Sequence, residues 1–83
     1  MIYHKKEFEK KLIDKDLNYK NLAAKLGISA NTLHSKIEIP GSEFKLSQAQ
    51  KTAEILDLSV KEFWLIFFNK ELSLNENLSS VAV

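Results

Sequence analysis

The chain predicts an all-α domain built from five short helices, and three observations carry that prediction. Apolar residues recur at three- and four-residue spacing: Phe8 with Leu12, Leu22 with Leu26, Leu33 with Ile37, and Ala49 with Ala53 and Leu56. Asn18, Ser29, Ser47 and Ser59 each stand just ahead of a helical segment, where a side-chain oxygen can satisfy free backbone amides. Gly27, Pro40 and Gly41 fall between segments, where a helix must stop and the chain must turn.

Taken in order, the first helix spans His4 to Lys15, with Phe8 and Leu12 on one face. Asp16 to Asn18 connects it to the second, with Leu17 buried beneath. Capped by Asn18, the second helix runs from Tyr19 to about Leu26 and stops at Gly27, which tolerates the left-handed conformation of a helix end. Ser29 caps the third, Ala30 to about Ile37, with Leu33 and Ile37 inward. Phe44 and Leu46 pin the following loop to the core. Ser47 opens the fourth helix in a capping box with Gln50, and that helix continues to Leu56 with Thr52 or Ile55 at the margin of its buried face. Ser59 and Glu62 form a second box, and the fifth helix carries Phe63 to Phe68. The final segment, residues 71–83, turns polar and then ends in the apolar run LSSVAV.

Eighty-three residues make one domain with a small core, so stability should be on the order of 5 kcal/mol or less without oligomerisation. With no cysteine, disulfides and thiolate metal sites are excluded. The apolar run Phe63–Phe68 falls far short of the ~20 residues a membrane span needs, and MIYHKKEFEKK lacks the apolar stretch of a secretory signal. A cytoplasmic protein that does not engage membranes is expected. The net charge is only +1, but it is unevenly spread. Residues 1–45 carry nine Lys against six acids, and residues 46–83 carry three Lys against five. The basic half is the half that would face an anionic partner. Arginine, the commonest bidentate reader of guanine, is absent.

Tyr19 to Glu38 (YKNLAAKLGISANTLHSKIE) reads as two helices joined by a tight turn. Ala23 sits where crossing helices leave room for only a methyl group. Such a unit presents its second helix as a rod that fits the DNA major groove.

LGISANTLHSKI, followed by SEF and later by ILDLSVKEFW, resembles the helix-turn-helix proteins of the phage Cro and repressor class, the XRE-like family. It is similar in particular to small phage or prophage proteins of Firmicutes type, which often show a Lys-Ile pair, a Ser-Glu-Phe loop and a closing Phe-Phe. The resemblance covers about residues 5 to 70. It implies a lambda-repressor-like five-helix domain over 1–70, with the helix-turn-helix at helices 2 and 3. The tail, 71–83, would be flexible or would contribute to dimerisation. Two departures stand out. Lys36 occupies a position usually apolar in the family, and the loop Glu38–Ser42 is about one residue longer than usual.

Carried over residue by residue, the family's base-reading positions are Ala30, Asn31, His34 and Ser35. Helical spacing places the same residues on or near the side opposite Leu33 and Ile37. Asn matches the N7 and N6 of adenine, a His can donate to guanine, and the Ala methyl suits thymine. Phosphate contacts are expected where helices two and four begin, at Tyr19, Lys20 and Asn21 and at Lys45, Ser47 and Gln48, because free amides and the helix dipole favour anions there. Lys36 is a further electrostatic candidate.

Six consecutive large apolar residues cannot all face inward from one helix. Some of Phe63, Trp64, Phe67 and Phe68 must therefore cover another surface, either the C-terminal tail folding back or a second copy; a homodimer interface formed by these four is the sharper expectation. The expected function is a sequence-specific transcriptional regulator acting by occupying double-stranded operator DNA, with no cofactor. The alternative is a protein-binding module, such as a phage antirepressor that captures a repressor, or an antitoxin that adds a toxin-binding tail. An enzyme is not expected. His4 and His34 are thirty residues apart with no partner at metal-ligand spacing, two glycines make no phosphate loop, and Asp14 and Asp16 read as solvated.

Overall fold

The computed structural model describes residues 1–70, and these form an all-α fold of five helices. They are α1 (Lys5–Asp14), α2 (Tyr19–Leu26), α3 (Ala30–Glu38), α4 (Leu46–Leu56) and α5 (Val60–Phe68). The tail and its LSSVAV run lie outside the described residues. No helix among those described is long and apolar enough to cross a membrane.

Three of the four connections are built alike. In Asp16-Leu17-Asn18, Gly27-Ile28-Ser29 and Asp57-Leu58-Ser59, the first residue is left-handed, with φ of 55°, 73° and 54°. The second donates its N–H to the carbonyl five residues back: Leu17 to Leu12 at 2.9 Å, Ile28 to Ala23 at 3.0 Å and Leu58 to Ala53 at 2.9 Å. This stops the helix while satisfying a carbonyl it would otherwise orphan. The same three apolar side chains pack against the core. The third residue caps the next helix. Asn18 Oδ1 accepts from Asn21 N–H at 2.8 Å, Ser29 Oγ from Thr32 N–H at 3.0 Å and Ser59 Oγ from Glu62 N–H at 3.1 Å. Glu62 completes its box by accepting from Ser59 N–H at 2.8 Å. Each three-residue corner thus ends one helix, buries an apolar group and starts the next helix. Two of the three do this without glycine.

The core gathers Phe8 and Leu12 of α1, Leu22 and Ala23 of α2, Leu33 and Ile37 of α3, Ala49 and Leu56 of α4, and Ile66 and Phe67 of α5. Fully burying one such aliphatic or aromatic side chain contributes ~1.5–3 kcal/mol, so this cluster is the main force holding the helices together.

The structure corrects the fourth helix. It begins at Leu46, before Ser47, and its cap position is Lys45. Lysine has no acceptor, so only the reverse half of a capping box forms: Gln48 Oε1 accepts from Lys45 N–H at 3.0 Å. Gln50 plays no part in the cap. Leu46, expected to pin the loop, is 61% exposed, and Phe44 alone packs inward. Thr52 is fully buried on the inner face of α4, its hydroxyl satisfied by donating to Gln48 carbonyl at 2.7 Å, while Ala53 is only half-buried.

Ile2 is a core residue that the sequence reading missed. The segment ahead of α1 straps two helix ends together. Ile2 N–H donates to Ile37 carbonyl at 3.2 Å and Tyr3 N–H to Ile66 carbonyl at 2.7 Å. Both acceptors belong to the last turns of α3 and α5, where carbonyls have no helical partner.

Candidate nucleic-acid interface

Helix α3 owes its direction to Leu33 and Ile37, which are buried against α2 and the core. That leaves Ala30, Asn31 and His34 exposed and Ser35 half-exposed. None of these four side chains has a hydrogen-bond partner among the described residues. The predicted base-reading set therefore shares one open face. Thr32, also exposed, is held at the helix start by Ser29 Oγ, which donates to Thr32 Oγ1 at 2.8 Å.

His34 lies beside Tyr19, with ring centroids 6.3 Å apart, and Tyr19 in turn lies 6.5 Å from the ring of Phe8. The Tyr19 hydroxyl donates to Glu9 at 3.3 Å. Burial, with the negative charge of Glu9 beside it, pushes the phenol up to about 12. Tyr19 is thus tied to α1 and supports His34 from below, and its hydroxyl already has an internal acceptor.

The acid on α3, Glu38, is answered by Lys5 of α1, whose ammonium forms an ion pair with it. This hydrogen bond holds the Glu38 carboxyl below its usual range and raises Lys5. The negative charge at the end of α3 is therefore compensated from outside the helix.

The phosphate candidates divide into two groups. Lys20, Asn21, Lys45 and Ser47 are exposed, and their side chains carry no hydrogen bond or ion pair among the described residues. The amides of Tyr19 and Lys20 open α2, and those of Leu46 and Ser47 open α4, so both groups present free donors at helix starts. Gln48 and Lys36 are engaged elsewhere. Gln48 caps α4 through Lys45, and Lys36 Nζ donates to the carbonyl of Glu43 at 3.0 Å. Lys36 thus has an internal role, fastening the long α3–α4 loop to α3.

The aromatic residues of α5 also divide. Phe67 is 8% exposed and packs edge-on against Phe44 at 5.2 Å, so it belongs to the core. Phe63 and Trp64 are half-buried, and Phe68 is 41% exposed. Trp64 and Phe68 lie tilted against each other with ring centroids 4.9 Å apart, and with exposed Val60 they form an outward stripe at four-residue spacing.

Among the described residues, no group of His, Asp or Glu is placed to hold a metal ion. Comparison of the chain with protein-family models, curated proteins and solved structures finds no match.

Proposed function

We propose that this chain is a sequence-specific DNA-binding regulator of the Cro and repressor type, which acts by occupying an operator. In this reading α2 and α3 are a helix-turn-helix and α3 enters the major groove. The reading rests chiefly on the open face of α3, where Ala30, Asn31 and His34 stand exposed with no hydrogen-bond partner among the described residues. Asn31 reads an adenine through paired donor and acceptor, His34 donates to a purine edge, and Ser35 lies at the margin. The free amides and exposed side chains at the starts of α2 and α4, with Lys20, Asn21, Lys45 and Ser47, hold the flanking phosphates. Two copies pair through the outward stripe of α5, Trp64 and Phe68 above all, matching a palindromic site.

The test is a titration against duplexes selected from a random pool, at two salt concentrations. Affinity should fall steeply with salt, by ~0.9 in log–log slope for each phosphate neutralised. Asn31→Ala should weaken specific binding by ~1–3 kcal/mol and relax preference at one base position. Equal loss on random duplexes would refute base reading by Asn31. Salt-insensitive capture of a protein partner through the exposed aromatics would favour the antirepressor or antitoxin reading instead.

A further inference from the structure

Of the six large hydrophobic residues exposed in the described chain, three, Tyr3, Leu46 and Phe68, line one groove. Phe44, Phe67 and Ala49 form its floor, and its volume is about 530 Å³. That is ample for several apolar side chains, since pockets of this size enclose whole drug-sized ligands. A groove of exposed aromatic and aliphatic groups in so small a domain calls for an occupant. We propose that the occupant is the chain's own segment 71–83, folded back from the end of α5 as an intramolecular latch.

Three observations single out this segment. Phe68 forms one wall of the groove, and Asn69 directly after it is left-handed (φ 51°), with Lys70 N–H bonded back to Trp64 carbonyl at 3.1 Å. The segment therefore starts beside the groove, and its thirteen residues can reach roughly 40 Å when extended. Its sequence supplies Leu74, Leu78 and Val81 at the four-then-three spacing of a single helical face, with Leu72 and Val83 at its ends. Its charge also fits. Residues 71–83 hold Glu71 and Glu76 and no base, while Lys45 and the N-terminal end of α4 adjoin Leu46. The one acid on the rim, Glu43, is already paired with the Met1 amino group at 3.3 Å. Tethering favours this segment over a second copy, because a short linker sets a local concentration in the millimolar range. The latch covers Phe68, so it competes with self-pairing through α5. It does not depend on α3 entering DNA.

The absence of native cysteine gives a direct test. Leu46→Cys combined with Leu74→Cys or Leu78→Cys, in the full chain, should form an intramolecular disulfide under mild oxidation. Its rate should exceed by ~10-fold that of the same tail variants paired with Ile13→Cys, whose site on α1 is 74% exposed and outside the groove. Equal rates at the two sites overturn the latch. Disulfide-linked dimers as the main product also overturn it, by showing that a second copy fills the groove. A second measurement uses the Leu46→Cys thiol alone. Adding Leu74→Asp and Leu78→Asp should raise its labelling rate by a maleimide several-fold, and an unchanged rate refutes the proposal. Leu46 and Ile13 both lie outside the buried cluster, so cysteine at either leaves the core packing unchanged.

Discussion

Lys36→Met isolates the role of a residue that sequence reasoning assigns to DNA and the structure assigns to the protein itself. The substitution keeps the aliphatic stem and removes only the ammonium that donates to Glu43 carbonyl. A hydrogen bond from a charged donor contributes ~1.5–3 kcal/mol when sheltered. This one faces solvent, and screening reduces it to ~0.5–1 kcal/mol. In a domain of this size that corresponds to a fall in Tm of ~2–8 °C, readable by circular dichroism. Amide exchange should speed up at Phe44 and Lys45, the loop residues that precede α4. The second arm is the salt dependence of DNA binding. If Lys36 fastens the loop and touches no phosphate, the log–log slope stays unchanged while affinity falls modestly on all sequences. If instead it neutralises a phosphate in the complex, the slope drops by ~0.9. An unchanged Tm together with a shallower slope would refute the staple.

Two further outcomes follow from the geometry. Gly27→Ala should destabilise by ~1–2 kcal/mol in chemical denaturation, because φ is +73° and a Cβ there meets nothing within 4 Å, so the cost is backbone strain alone. A loss above ~3 kcal/mol would mean that a steric clash is present as well. Stability should also decline at alkaline pH through Tyr19. The folded phenol is raised to about 12 from an ordinary 10.0, so its contribution is complete below pH 10 and disappears as pH rises from there towards 12. Tyr19→Phe should remove that part of the decline, and the ultraviolet titration difference between the unaltered chain and Tyr19→Phe should show the Tyr19 phenol ionising well above its ordinary 10.0; ionisation at the ordinary value would contradict the burial argument.

Much of the fold was legible because it is decided within a few residues. The caps at Asn18, Ser29 and Ser59 each pair a side chain with a backbone amide three residues on, and the stop at Gly27 uses backbone bonds spanning no more than five residues. The inward pairs Phe8–Leu12 and Leu33–Ile37 follow from helical period alone. The exposed face of α3 follows in turn, since residues opposite Leu33 and Ile37 must point away from the core. The left-handed Asp16 and Asp57 were harder to read, because only glycine advertises that conformation; the signal was the repeated aspartate-leucine-cap order that mirrors Gly27-Ile28-Ser29.

By itself, then, the sequence determined that the chain is helical, where four of its helices begin and end, and which side of α3 faces outward. Tertiary structure alone decided the rest. It drew Ile2 into the core and strapped α3 to α5. It turned Lys36 towards the Glu43 carbonyl, answered Glu38 with Lys5, buried Phe67 while leaving Phe68 out, and moved the start of α4 ahead of Ser47. The physical reason is range. Caps and helical stripes are set by neighbours along the chain, whereas orphan helix-end carbonyls and unpaired charges find their partners in whichever segment the packed core brings beside them.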